Sequence, residues 1–165
     1  MPQDKNLIGV GAANTVWLGG TDVGYTFGGV ELSIDQTTFD VEADQVNAAL
    51  AITLLEKEYT IKVPFAQSSI DNIATFFTAD KTTAVTGTTA LILDTNDFPG
   101  TTTLGFTTDL FGASKVLHFF FHAVQVDSVD SVTYNKGNQA TWGVNFRAFP
   151  ITGGTSPGYI YLKTV

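Results

Sequence analysis

The chain reads as a mainly β domain with one flanking α-helix, and three observations support this. Residues 31–34 (ELSI), 38–43 (TFDVEA) and 58–65 (EYTIKVPF) alternate apolar and polar side chains at the two-residue period of a strand. Eleven threonines fall between positions 82 and 108, and their β-branched side chains favour extended backbone. The segment SSIDNIATFFTAD places apolar residues most clearly at helical spacing.

With 165 residues the chain fits a single domain, large enough to bury a core without disulfide staples, and it contains no cysteine. The expected organisation is an arm or set of loops over residues 1–28, a β core over 29–150 and a tail over 151–165. Residues 19–29, GGTDVGYTFGG, supply the repeated turn positions of the arm. In the core, Tyr59, Ile61, Val63 and Phe65 share one strand face.

Residues 45–57, QVNAALAITLLEK, fit both an extended segment with a loop and a helical stripe through Val46, Ala49, Leu50, Thr53 and Leu54; strand and loop is the preferred reading. The helix is expected over about 69–79. Ser68 or Ser69 would be its N-cap, Asp71 would face the dipole in the first turn, and Ile70, Ile73, Ala74 and Phe77 would lie on the buried face.

Asn96 to Gly100 reads as a turn, and VLHFFFHAVQVDSV is apolar on both faces, so cover is expected on both. A turn at Lys136-Gly137-Asn138 then leads into a strand with Trp142, Val144, Phe146 and Ala148 inward.

The net charge is -8, which opposes tight binding to nucleic acid phosphates and suits a surface that lets nucleic acid pass without sticking. Charged residues are 15% of the chain, low enough to suggest surface hidden against copies of itself, though a strand-rich monomer with threonine-covered faces shares this composition. The first residues lack the shape of a signal peptide and no run is long enough to span a bilayer, so a soluble protein made in a cytoplasm is expected.

No catalytic or metal motif emerges. His118 and His122 on a strand stand roughly 13 Å apart, too far to share one ion. Gly9 to Asn14 imitates the start of a dinucleotide fingerprint but lacks its third glycine and its βαβ context. No enzyme and no cofactor are expected.

Two features stand out. In FDVEADQ (39–45) Phe39 and Val41 point one way, while Asp40, Glu42 and Asp44 form a row of carboxylates on the other. Trp17, Tyr25 and Phe27 sit in a glycine-rich region, where they either anchor the arm to the core or to a neighbour, or form a sugar-stacking platform.

Taken in order, WLGGTDVGYTFGGVELSI (17–34), FDVEADQ, EYTIKVPFAQSSIDNIATFF (58–77) and the closing HAVQVDSV and YNKGNQATWGVNFRAFP (to Pro150) resemble the tail tube proteins (major tail proteins) of tailed bacteriophages. The resemblance covers about three quarters of the chain. The apolar loop after Gln45 and the threonine-rich stretch depart from the pattern, and no appended immunoglobulin-like domain is expected after Pro150.

The resemblance implies a tail-tube β-sandwich or rolled barrel with one flanking helix, a long inter-strand loop and an N-terminal arm. Its function would be that of a virion protein, assembling into hexameric rings stacked as a conduit for DNA. Implied partners are further copies of itself, the tape-measure protein, and the tail initiator or distal tail and tail terminator proteins, with assembly in the host cytoplasm and no membrane. In such a tube Asp40, Glu42 and Asp44 are candidates for the lumen, with Glu31, Asp35 and Glu58 as weaker ones. Trp17, Tyr25, Phe27, Ala48, Ala49, Leu50, Leu54 and Leu55 are candidates for contacts between subunits or rings. The rival readings are a monomeric carbohydrate-binding β-sandwich and the tube of a contractile injection or secretion system.

Overall fold

The computed structural model describes residues 9–24, 26–43, 46–66, 69–77, 80–82, 88–92, 100–110, 115–130, 132 and 140–164. The fold is mainly β, built on one eight-stranded antiparallel sheet with a single described helix. In chain order the elements are β1 (Gly9–Leu18), β2 (Thr21–Asp22), β3 (Glu31–Ala43), β4 (Val46–Phe65), α1 (Ile70–Phe77), β5 (Asp80–Thr82), β6 (Ala90–Ile92), β7 (Thr102–Leu110), β8 (Lys115–Val129), β9 (Trp142–Phe149) and β10 (Gly158–Thr164). The sheet runs β2-β1-β7-β8-β9-β4-β3, with β10 also on β8, while β5 and β6 form a separate ladder.

One face of the sheet is the core. Val16, Leu18, Ile61, Val63, Phe65, Leu104, Phe106, Phe121, Val124, Val144 and Phe146 are all buried on it, drawn from five strands. Strands from opposite ends of the sheet share this cluster, so the sheet curls around it, and a bridge from Thr26 to Phe65 ties the segment after β2 to the end of β4. The expected inward row Val144, Phe146 and Ala148 is buried, with Trp142 half-buried beside it.

Helix α1 closes the core. The Ser69 hydroxyl accepts a hydrogen bond from the Asn72 amide at 3.2 Å, which makes Ser69 the N-cap. Asn72 also donates its side-chain amide to the Val23 carbonyl at 2.9 Å, fixing the helix to the strap after β2. The aromatic that seals the core is Phe76, 1% exposed and 4.5 Å from the Phe65 ring, a position outside the expected helical stripe. Phe77 lies in the helix, but its side chain is outside the described residues.

Three departures from the sequence reading matter. Residues 9–18 are a strand paired with β7, not part of an arm, because small residues such as Gly11 and Ala12 carry no alternation to betray it. The segment 46–57 is neither loop nor helix but continuous strand, joined to β3 in a long hairpin. The double-faced β8 owes part of its pattern to bulges, since register shifts near His122 and Asp127 carry the inward row from Phe119 and Phe121 to Val124 and Val126, and then to Val129. The turns expected at 96–99 and 136–138 lie outside the described residues, whereas Gly100 is exposed.

Strands β9 and β10 follow one line. Phe149 ends β9 opposite Ala123, and Gly158 begins β10 opposite Phe121, so the chain leaves the edge of β8 and rejoins it two residues further on. Residues 150–157 make that detour, and His122 donates its amide to the Pro157 carbonyl as the line resumes.

Candidate functional site

The site begins at the polar face of β3, β4, β9 and β8, opposite the core. Directly paired residues of antiparallel strands share a face, and here they are Glu31 with Lys62, Ser33 with Thr60, Asp35 with Glu58, and Thr37 with Glu56. Across the next two ladders lie Arg147 and Asn145, then Gln125 and Ser128.

Two cations are tied down here. Lys62 Nζ lies 2.6 Å from Asp130 Oδ2, while Arg147 reaches Glu58 at 2.7 Å and Asp127 at 3.7 Å. The hydrogen bond from Lys62, followed by burial working against it and a hydrogen bond from Asn145, leaves the Asp130 carboxyl below its ordinary range. The same bond raises Lys62 above the usual lysine value. These pairs are solvent-exposed and contribute little to stability; their effect is to fix where charge sits. Glu31, Asp35, Glu56, Glu58, Asp127 and Asp130 share the face with Lys62 and Arg147 alone among its named cations, so the surface is acidic.

Beyond Tyr59, β4 leaves β9 and pairs with β3 alone. From Thr38 to Ala43 and from Val46 to Leu55 the two strands therefore form a ribbon with no third strand beside it among the described residues. Its register puts Phe39 and Val41 with Thr53 and Ala51 on one side, and Thr38 and Asp40 with Leu54 and Ile52 on the other. Leu55 occupies the bulge where Thr37 faces Glu56 and Thr38 faces Leu54. Phe39 is 58% exposed, Ile52 69%, Leu54 52% and Leu55 64%, an apolar surface on both sides of a two-stranded ribbon. A two-stranded ribbon of this kind is marginal in water unless something packs on it.

A second apolar surface lies at the hairpin's root. Leu32, Ile34 and Tyr59 face Phe121, Tyr159 and Ile160 across a groove of about 290 Å³, bounded also by residues 156–158. Lys57 stands at its mouth with Nζ 5.3 Å from the Tyr59 ring centroid, a cation over an aromatic face.

A third cluster, of aromatic side chains, lies on the outer side of β1, β7, β8 and β10. Gly105 carries no side chain, so Trp17 reaches across it to His118, with ring centroids 6.1 Å apart and planes within 5°. His118 stacks on Tyr161 at 4.7 Å, and Phe120, His122 and Tyr159 form the adjoining cluster. Burial, then the nearby Lys163 charge, holds His118 below the ordinary histidine value. His118 and His122 thus pack as rings against rings. Among the described residues no three His, Asp or Glu side chains converge as a metal site requires.

The expected site residues separate into distinct surfaces. Glu31, Asp35 and Glu58 come together on the acidic face, whereas Asp40 lies an odd number of residues along β3, on the opposite side, between Ile52 and Leu54. The side chain of Glu42 and all of Asp44 fall outside the described residues, as do Tyr25 and the side chains of Ala48, Ala49 and Leu50. Trp17 is half-buried in the aromatic cluster, while Phe27 is 62% exposed and donates its amide to the Pro64 carbonyl. Sequence reasoning missed Lys57, Glu56, Asp127 and Asp130, which only the strand register brings beside the others.

No protein-family model matches the chain, and no curated protein matches it in sequence.

Proposed function

We propose that this chain is a structural virion protein that assembles with copies of itself into stacked hexameric rings, forming the tail tube through which a bacteriophage passes its DNA. The observation that carries the reading is the hairpin of β3 and β4 beyond Thr37, whose described side chains are apolar on both sides and which pairs with no third strand among the described residues. Such a ribbon needs neighbours, and a protein whose working form is a repeating assembly supplies them. Among the described residues β3 is an edge strand, and its outer edge adds backbone donors and acceptors that another strand would pair.

The acidic face gives the assembly a use. A sheet face bearing Glu31, Asp35, Glu56, Glu58, Asp127 and Asp130, repeated around a ring, repels phosphates and lets DNA slide. This assigns the lumen to the root of β3 and β4, while Asp40, flanked by aliphatic side chains, goes to a protein contact. Tape-measure, initiator and terminator proteins would meet the same rings at the axis and at the tube ends.

Negative-stain electron microscopy with solution mass at several concentrations tests the proposal. Rings or hollow tubes, with a smallest assembly near six times 17.6 kDa, are the expected result. A monomer that persists both alone and with tail initiator proteins would overturn it. Presence of the protein in infectious particles would separate a phage tail from an injection-system tube.

A further inference from the structure

The proposed assembly leaves open which surface receives the hairpin. We infer that the receptor is the groove between Leu32, Ile34, Tyr59, Phe121, Tyr159 and Ile160 of a second copy, entered by Ile52 and Leu54 with Asp40 meeting Lys57; this rests on the self-assembly reading above.

Three observations lead there. The occupant cannot be the chain's own hairpin, because Leu32, Ile34 and Tyr59 are the base from which that hairpin projects, and its paired strands carry it away from the groove. The two surfaces match in shape and kind. A groove of about 290 Å³ with an apolar lining has room for one or two aliphatic side chains, and the hairpin offers Ile52 and Leu54 two positions apart on one side of a strand.

Their charges also match. In a chain with eight Lys and Arg against sixteen Asp and Glu, contacts between copies must overcome repulsion. Asp40 is the described acid on the Ile52–Leu54 side of the ribbon, and Lys57 is the cation at the mouth of the groove. Docking aliphatics into the groove therefore brings opposite charges together at its rim.

The geometry has a consequence for symmetry. Each copy carries one hairpin and one groove, so the contact either closes reciprocally in a two-fold pair or repeats head to tail, and the proposed ring needs the head-to-tail form. Repetition gives a ring if the rotation closes and a filament if it does not.

The chain has no cysteine, which gives disulfide trapping a clean background. The double variant Ile52→Cys/Ile160→Cys, assembled and then oxidised, is expected to run on denaturing gels as a ladder of multiples, whereas each single-cysteine variant yields at most dimers. Asp40→Lys and Lys57→Asp are each expected to raise the concentration needed for assembly roughly tenfold, and the two together to restore much of the loss. Rings seen by electron microscopy without a ladder, or a charge swap that fails to rescue, would overturn the groove while leaving self-assembly standing. A wild-type chain that remains monomeric, with or without initiator proteins, would overturn both.

Discussion

Gly143 leaves the space that the Asp130 side chain fills. A Cβ at Gly143 would stand 2.5 Å from Asp130 Oδ2 and 3.1 Å from its Cγ, so the whole carboxylate would have to turn away from Lys62 and Asn145. The Asp130 amide also donates to the Gly143 carbonyl at 2.7 Å, which holds the two residues together.

Gly143→Ala should therefore destabilise the fold by about 1–3 kcal/mol through crowding, and it should also change the pH profile. Asp130 is lowered in the fold, so its contribution is present above the ordinary carboxylate range and is lost as pH falls through its lowered value. Lys62 is raised, so its contribution is complete below the ordinary lysine value and is lost as pH rises through the raised one. In the variant both limbs should flatten, as read by urea midpoints across acid and alkaline pH; an unchanged profile would detach the pair from Gly143.

His118 predicts a separate effect. Because the folded chain holds it below its ordinary value, the unfolded chain takes up the proton first, and stability should fall as pH drops below about 6.5 toward the lowered value. His118→Phe keeps a ring between Trp17 and Tyr161 and removes the proton. Its urea midpoint should lose less than wild type between pH 7 and pH 5.

Phe76→Ala should cost about 3–5 kcal/mol, the usual penalty for emptying a buried aromatic site, and its thermal melt should show the loss. By contrast Ile52→Ala or Leu54→Ala, at positions exposed in the single chain, should change the melt of the monomer by less than about 0.5 kcal/mol. Their effect should appear in assembly, measured by sedimentation.

Asp35→Lys with Glu56→Lys reverses two charges on the acidic face without touching the Arg147 or Lys62 pairs. Tubes should form, and particles that contain the variant should eject DNA more slowly and infect less well. Full infectivity in such particles would remove this face from the lumen.

The sequence exposed those parts of the fold in which each strand has one wet and one dry side. Tyr59 to Phe65 and Val144 to Ala148 alternate because β4 and β9 line the core on one face and meet water on the other. Gly9 to Leu18 gave no such signal, since its small residues do not alternate, and the pairing with β7 decides its state. The hairpin was hidden for the opposite reason: both of its sides are apolar and exposed, so Val46 to Leu55 carries no period that distinguishes strand from helix. Within the site, Glu31 and Asp35 stand four apart on one strand and so share a face, whereas only the register puts Glu58 beside Asp35. Register alone could bring in Asp127 and Asp130, or show that Asp40 shares its side with Ile52 and Leu54. Phe76 escaped because a helix of eight residues, set by the Ser69 cap and the Asn72 tether, is too short for its pattern to define a face unaided.

The detour between β9 and β10 offers a practical opening. Residues 151–156 are exposed, while the chain is held on both sides of them by pairing to β8, so added length there need not disturb either strand. Doubling such a loop costs only about 0.6 kcal/mol of closure entropy. A peptide epitope grafted after Gly153 would be displayed once per chain and, if the chain assembles as proposed, as a regular array of tags whose spacing is set by the assembly and not by the graft.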